Sequence, residues 1–190
     1  MNRLVDRAKR AELLDRIVNH ALATGATTLA LRPTAAAVGT SARMLVHHFK
    51  SRDALAAEVL LAIETRLVRT LGEPAAGDAG GWLRGMWAAT ATPSAAPLVR
   101  AAFEIWGRAL VSPDGYGDFL DRAFAPWRDA LAAMLTRRGI EEGAAHTPAT
   151  LAVAAFLGLQ LARLTTGDDT GPRAALELMV AKVLETGGSP

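Results

Sequence analysis

Cysteine is absent from the 190-residue chain, so neither a disulfide framework nor a thiolate metal site can form. No apolar run approaches the roughly 18 uncharged residues of a membrane span. The N-terminus MNRLVDRAKRAELLDR lacks the apolar core of a signal peptide. We therefore expect a cytoplasmic protein that does not cross a membrane. The hydrophobic share of 51% is too high for a disordered chain and is sufficient for a core.

Sequence patterns of common enzymes and metal sites are also missing. The chain has no Glu-x-x-His pair, no His-Glu-x-x-His, no glycine-rich phosphate loop and no Gly-x-Ser-x-Gly. His47 and His48 are adjacent, so they diverge by about 100° on a helix and chelate a metal poorly. His146 and Glu142 would lie on one face of a helix, but Pro148 and a nearby glycine argue against a helix there. The sequence predicts no enzyme activity, no metal site and no cofactor.

Charge is distributed unevenly along the chain. Residues 1–52 hold nine lysines and arginines against three acids, a net charge of +6. Residues 53–190 hold twelve basic and sixteen acidic residues, a net charge of −4. A basic head on an acidic body indicates a polyanionic partner for the head, with chance clustering as the alternative.

Apolar residues recur at helical steps, and we find no convincing alternating strand. The pattern predicts an all-α chain in which a three-helix N-terminal unit is joined to a larger bundle by the fourth helix. A glycine- and proline-rich loop is predicted over 72–81. About nine helices are predicted, over 6–24, 31–38, 41–49, 51–71, 81–92, 97–111, 116–138, 148–166 and 171–186.

Two short helices joined by a tight turn at Gly39, within a basic three-helix unit, are typical of a helix-turn-helix. Leu45 and Phe49 can pack inward, which leaves the other face of the third helix free to contact DNA. An ordinary three-helix subdomain with solvated arginines is the alternative. The residues predicted to contact base edges or phosphates are Arg32, Ser41, Ala42, Arg43, Val46, His47, His48, Lys50 and Arg52.

Individual roles follow from side-chain chemistry. Arg32 and Arg43 can each make bidentate contacts to guanine. His48, Lys50 and Arg52 lie where they could hold phosphates, and so do the free N–H groups that begin the fourth helix.

The run GTSARMLVHHFKSRDAL over 39–55 combines a glycine turn, a capping serine, Leu-x-x-His-Phe, a basic connector and a leucine. With this run, the stretch from Ala11 to Leu60 resembles the DNA-binding domain of the TetR family of bacterial transcriptional regulators. The resemblance covers about a quarter of the chain. It implies a DNA-binding head over 1–52 and a ligand-binding and dimerisation bundle over 53–190.

The sequence departs from the family pattern at four places. Val46 replaces the usual tyrosine, whose hydroxyl would contact phosphate, so one backbone contact is lost. Arg43 stands where a small residue is common, and Pro33 replaces an acidic residue, with Ala30 giving the second helix no side-chain cap. Arg52 replaces a lysine and keeps its charge but not its geometry.

The bundle is rich in aromatic residues at helical spacing, which is typical of a core and also of an apolar ligand pocket. Gln160 interrupts an apolar run, and a buried amide needs partners, in a pocket or between helices. The resemblance implies an inducer site in this region. The predicted pocket residues are Trp87, Phe103, Glu104, Trp106, Trp127 and Gln160, with Arg108, Tyr116 and Thr165 as further polar candidates.

The last two helices carry small and apolar stripes that a monomer core or a partner chain could cover. A helix-turn-helix that reads paired half-sites favours a two-fold dimer, and the resemblance implies a four-helix interface there. The predicted interface residues are Ala155, Gly158, Ala162, Leu176, Met179 and Val183.

The sequence thus predicts a homodimeric, sequence-specific transcriptional regulator with a palindromic double-stranded DNA operator. We expect a repressor that is released by a small, largely apolar effector bound in the bundle. One alternative is a regulator without an inducer. The other is an all-helical small-molecule-binding protein or enzyme with a non-functional DNA-binding head.

Overall fold

The computed structural model describes residues 2–25, 29–72, 78–111 and 119–185. Within these ranges all regular structure is helical and no strand occurs, which confirms the predicted all-α class. The helices are α1 (Asn2–Thr24), α2 (Leu31–Ala37), α3 (Ala42–Phe49), α4 (Arg52–Leu71), α5 (Ala79–Thr90), α6 (Ala96–Val111), α7 (Phe119–Arg137), α8 (Glu142–Thr166) and α9 (Thr170–Glu185).

Serine side chains begin the third and fourth helices. Ser41 Oγ accepts a hydrogen bond from Met44 N at 3.2 Å, and Ser51 Oγ accepts one from Ala54 N at 3.0 Å. Each serine satisfies an N–H that has no partner within its own helix. Gly39, at φ 67°, forms the turn between α2 and α3 in a backbone region that favours glycine. The predicted caps and turn are confirmed.

The N-terminal start of α8 was predicted wrongly. The helix begins at Glu142 rather than at residue 148, and it contains Pro148. A proline so near the start of a 25-residue helix removes a single backbone hydrogen bond. Ala145 and Ala149 are fully buried in the same turns, and their packing holds the helical backbone in place.

Glu142 and His146 therefore lie one turn apart on α8, contrary to the expectation that this segment is not helical. A metal site needs further ligands. In the part of the chain that the structure describes, no group of three or more His, Asp or Glu side chains could hold a metal ion.

The start of α5 differs from its predicted position, and part of the predicted start of α7 lies outside the described residues. Helix α5 begins at Ala79 rather than at 81, because Asp78 accepts hydrogen bonds from the N–H groups of Gly80 and Gly81. Helix α7 begins at Phe119, and the predicted residues 116–118, including Tyr116, lie outside the described residues.

The chain forms two compact units. Unit 1 comprises Met1–Leu67 and Pro97–Val111, so it holds α1, α2, α3, most of α4 and α6. Unit 2 comprises Val68–Ala96 and Ser112–Pro190, with α5, α7, α8 and α9. The predicted boundary after residue 52 concerns which part of the chain binds DNA, and it stays a prediction.

Helix α8 packs against α7 and α9 within unit 2, and α5 packs against α9 and α7. Among the described helices, α8 is the one that is long and apolar enough to cross a membrane, judged by length and composition alone. The expectation that no stretch approaches such a span was therefore wrong. Only 28% of its most apolar stretch is buried within the chain, so much of an apolar face is left exposed.

A buried polar network ties α8 to the C-terminal end of α5. Gln160 is 2% exposed, and its amide donates to Thr90 Oγ1. Its carbonyl accepts from Arg163 Nε at 3.2 Å and from Nη2 at 3.0 Å. Arg163 Nη2 also donates to the Thr90 carbonyl at 2.9 Å, at the end of α5, where helix carbonyls lack partners. The network gives the Nε and Nη2 donors of a buried guanidinium neutral acceptors, and no carboxylate among the described residues pairs with Arg163.

The network generates a stability prediction. We expect Gln160→Ala to lower the free energy of unfolding by about 2–3 kcal/mol, because Arg163 and Thr90 lose a buried partner. Gln160→Glu keeps an acceptor for Arg163 and should lose less. Urea unfolding of the three proteins measures the difference. An alanine variant no less stable than the glutamate variant would show that the network does not hold the helices together.

Candidate nucleic-acid interface

Helix α3 has one buried face and one exposed face. Leu45 is 0% and Phe49 is 1% exposed, as predicted for the inward side. Arg43, Met44 and His47 are exposed on the opposite side. Because the inner face fixes the helix and the outer face carries an arginine and an imidazole, α3 has the division that a recognition helix needs.

The nine residues predicted to contact DNA all lie on or beside α2, α3 and the start of α4. Two of them, Ala42 and His48, are half-buried. The exposed ones are Arg32, Ser41, Arg43, Val46, His47, Lys50 and Arg52. Exposure leaves these side chains accessible, and their contacts with DNA stay predictions.

Met44 lies between Arg43 and the buried Leu45 and is 41% exposed. The sequence prediction did not include it among the contact residues. Its angular position on the helix, close to that of His47, was the available signal. An exposed thioether can contact the methyl group of thymine.

Arg10 of α1 holds the C-terminal end of α3. Its Nε donates to the His48 carbonyl at 3.1 Å, and its Cζ lies 4.8 Å from the centroid of the Phe49 ring. Its Nη2 pairs with Glu58 of α4. One guanidinium therefore joins three helices, and it donates to a carbonyl in the last turn of α3, where the helix dipole favours a cation.

Two further arginines bond backbone carbonyls of the same region. Arg16 Nη1 donates to the Val38 carbonyl at 3.0 Å, directly after α2. Arg52 Nε donates to the Leu29 carbonyl at 3.1 Å, before α2. Arg52 was predicted to contact phosphate, and part of its guanidinium is instead bonded to the protein. Nothing in the sequence marked Arg10 or Arg16 for these positions, because spacing alone does not show which carbonyls lack partners.

Lys50 occupies a strained backbone conformation between α3 and α4. Its φ is 74° and its ψ is −53°, and it is the non-glycine residue with positive φ in the described chain. Ser51 N donates to the Phe49 carbonyl across it at 3.0 Å. This is a γ-turn of the rarer, strained form. A lysine in such a turn carries a positive charge at a place where glycine would be the easier residue.

The residues predicted to line a ligand pocket fall in both units. Trp87 and Gln160 are buried in unit 2, and Trp127 is half-buried there. Trp106 is 8% exposed on α6 of unit 1, where its ring meets that of Phe103 edge-on at 5.2 Å. Glu104 is half-buried on the same helix. Gln160 bonds between helices, and the lining of a pocket by this set stays a prediction.

The predicted dimer residues divide by exposure. Leu176 and Val183 are 1% and 3% exposed, so they belong to the core of their own chain. Gly158 and Ala162 are exposed, while Ala155 and Met179 are half-buried. The apolar side chains most exposed on α8 and α9 are Leu151, Leu161 and Leu178.

No known family model matches the sequence, and no curated protein matches it. Solved structures do match its fold. A transcriptional regulator from Rhodococcus sp. Rha1 has a TM-score of 0.79 and 21% identity, over 95% of this chain and 99% of that one. A TetR transcriptional regulator from Legionella pneumophila has a TM-score of 0.65 and 17% identity, over 90% and 95%. The multidrug binding protein EbrR, complexed with proflavin, has a TM-score of 0.60 and 22% identity, over 92% and 98%.

The chain therefore has the fold of TetR-type regulators along nearly its full length. This confirms the predicted architecture of an N-terminal helix-turn-helix followed by a helical bundle.

The position of Arg10 predicts a loss of stability on substitution. Arg10→Met keeps an apolar stem over Phe49 but removes both hydrogen bonds, so we expect the free energy of unfolding to fall by about 1–3 kcal/mol. Faster amide exchange in α3 should accompany the loss. Arg7→Met, at an exposed arginine of the same helix, is the matched control. Equal losses in the two variants would contradict a specific role for Arg10.

The γ-turn predicts a gain of stability at Lys50. Glycine adopts positive φ without the steric cost of a Cβ, so Lys50→Gly should raise the free energy of unfolding by about 1 kcal/mol. Thermal melting measures it. Lys50→Ala removes the charge but keeps the Cβ, and it should give no such gain. If both variants were equally stable, strain would not be the reason.

Proposed function

We propose that the chain is a sequence-specific, DNA-binding transcriptional regulator that reads the major groove with α3. The observation that carries the proposal is the pose of α3, with Leu45 and Phe49 buried and Arg43 and His47 exposed. Arg10 supports it, because its bonds to the end of α3 fix the direction in which that exposed face points. A pre-positioned helix makes base contacts at a lower entropic cost.

Charge supports the same function. Arg32, Lys50 and Arg52 are exposed near α3, and the segment 1–52 carries a net charge of +6. Cations in such an arrangement attract the phosphate backbone without regard to sequence. Arg43, on the outer face of α3, is the residue placed to distinguish bases by a bidentate contact. The likeness of the fold to transcriptional regulators supports a DNA-binding role.

We further propose that two copies pair through the exposed apolar face of α8 and α9. Leu151 and Leu178 are each 62% exposed, and Leu161 is 48% exposed. Gly158 and Ala162 would permit a partner helix to approach closely. A two-fold dimer of this kind would read a palindrome whose half-sites lie roughly 34–36 Å apart. It would also cover the apolar face of α8 without a membrane, in the cytoplasm, where its DNA lies.

Repression relieved by a small, largely apolar ligand in the bundle completes the proposal. The support is the aromatic content of the bundle and the fold likeness to EbrR, which is described in complex with proflavin. In this mechanism the ligand favours a state in which α4 is tilted and the recognition helices no longer match both half-sites. Only a difference in ligand affinity between the two states can drive such a shift.

Fluorescence anisotropy of the full chain tests the DNA-binding role. The probe is DNA that flanks its own gene, compared with scrambled DNA at two salt concentrations. We expect tighter binding to the flanking DNA and two chains per site. Arg43→Ala should cost about 1–3 kcal/mol and relax specificity, because a base contact is lost. Arg52→Ala should weaken binding uniformly and reduce the salt slope.

Arg138→Ala, at an exposed arginine of unit 2, is the control and should leave binding unchanged. Failure of the wild-type chain to select any DNA, in this assay and in an unbiased selection from random sequences, would contradict the proposal. It would favour the alternative of a small-molecule-binding protein with a non-functional head.

A further inference from the structure

A cleft of about 340 Å³ lies in unit 2, between the C-terminal half of α5 and the N-terminal half of α9. Trp87 and Leu176 give it an apolar wall, and Arg84, Asp169, Arg173 and Glu177 give it charge. Its volume is at the lower end of the range for small-molecule sites. Of the predicted pocket residues that the structure describes, Trp87 lines it and the others do not.

Two buried polar atoms without hydrogen-bond partners belong to residues of this cleft. Across the described residues, the buried side-chain atoms in this condition are Trp82 Nε1, Trp87 Nε1 and Asp169 Oδ1. Trp87 is 3% exposed. A buried group left unpaired costs roughly 1–3 kcal/mol, and each such group calls for an explanation. Here the residues that carry an unpaired donor and an unpaired acceptor line one cleft, and a ligand with an acceptor and a donor could supply both partners.

The local sequence explains why α9 does not use the carboxylate of Asp169. Asp169 directly precedes α9, where an aspartate usually caps the helix by accepting from its second or third N–H. The third residue of α9 is Pro172, which has no N–H. Asp168 takes the capping role instead, since its Oδ1 accepts from Thr170 N at 3.0 Å. This hydrogen bond lowers the pKa of Asp168.

The remaining charges of the cleft are balanced but not all paired. Arg84 and Glu177 form an ion pair at 2.8 Å, which lowers the pKa of the Glu177 carboxyl. Among the ion pairs of the described residues, none includes Arg173 or Asp169. After the hydrogen bond from Arg84, the nearby charge of Arg173 also lowers the pKa of Glu177. Arg173 keeps its hydrogen-bond donors for a ligand, so the cleft presents this guanidinium, the Asp169 carboxylate and the indole of Trp87.

We propose that this cleft binds a small zwitterion of the apolar amino acid class. Its ammonium group meets Asp169, its carboxylate meets Arg173 and the Trp87 N–H, and its apolar side chain packs against Leu176. A zwitterion adds no net charge to a cleft whose own charges already balance. The proposal goes beyond DNA binding, and its test uses no DNA, so its failure would leave the proposed regulator untouched.

Isothermal titration of the full chain with L-leucine and L-phenylalanine tests the chemistry. The comparison ligands are N-acetyl-L-leucine, which lacks the ammonium group, and L-leucinamide, which lacks the carboxylate. We expect at least one free amino acid to bind, and its blocked counterparts to bind at least about tenfold more weakly, as the loss of one charged hydrogen bond predicts. No binding of either amino acid up to about 10 mM, or equal binding of the blocked ligands, would overturn the proposal.

Paired variants locate the site. Asp169→Asn and Trp87→Phe should each weaken binding about tenfold or more, because each removes a group that meets the ligand. Asp168→Asn and Trp82→Phe are the matched controls, since they change the neighbouring aspartate and the other unpaired indole of α5 without touching the cleft. Equal loss in controls and site variants would overturn the assignment.

Stability of the ligand-free protein separates a binding role from a structural one. Asp169→Asn should leave the melting temperature unchanged or raise it, because it removes a negative charge that has no ion-pair partner among the described residues. Asp168→Ala should lower it, because alanine cannot accept the hydrogen bond that Thr170 N donates to Asp168 Oδ1. A lower melting temperature for Asp169→Asn would show a structural role for that carboxylate and would contradict the proposed site.

Discussion

Carbonyl groups at the ends of short helices lack partners, and in this protein arginines from other helices supply the missing donors. Arg10 bonds a carbonyl in the last turn of α3, Arg16 bonds the carbonyl that follows α2, and Arg163 bonds the last carbonyl of α5. A guanidinium suits this task because its donors are fixed in a plane and its charge opposes the negative end of the helix dipole. Arg10 and Arg16 hold the ends of α3 and α2, which form the candidate interface. Arg163 holds the end of α5, which belongs to the polar network of unit 2.

The hydrogen bond from Arg10 to the end of α3 is important because α3 is short. An eight-residue helix is not stable by itself in water, since nucleation costs more than its few hydrogen bonds return. Its conformation therefore depends on Leu45 and Phe49, which are buried, and on Arg10, which fixes its end. The exposed face of α3 does not hold the helix in place, so Arg43 and His47 can be replaced without loss of the fold. This separation allows one scaffold to present different recognition surfaces.

The sequence predicted most of the backbone of the head, because its signals are local. Ser41, Ser51 and Gly39 act on groups within a few residues, and the structure has each of them in its expected role. Pro148 misled the prediction, because a local rule about proline does not include the packing that holds the start of α8. Arg10 could not have been found at all, since its partners lie 38 and 48 residues away in sequence.

The same reasoning distinguishes the two polar clusters of unit 2. Gln160 and Arg163 are buried and hydrogen-bond to each other and to Thr90, so the network they form joins α8 to α5. Asp169 and Trp87 instead retain unpaired atoms, as Trp82 does, and these three side chains are the ones with buried unpaired atoms among the described residues. The ligand that we propose for the cleft would give these two atoms partners. Trp87 also lies beside Arg163, 6.0 Å from ring centroid to Cζ. A molecule bound in the cleft would therefore contact Trp87, which lies beside the polar network between α5 and α8. It would stabilise whichever arrangement of α5 and α8 binds it better.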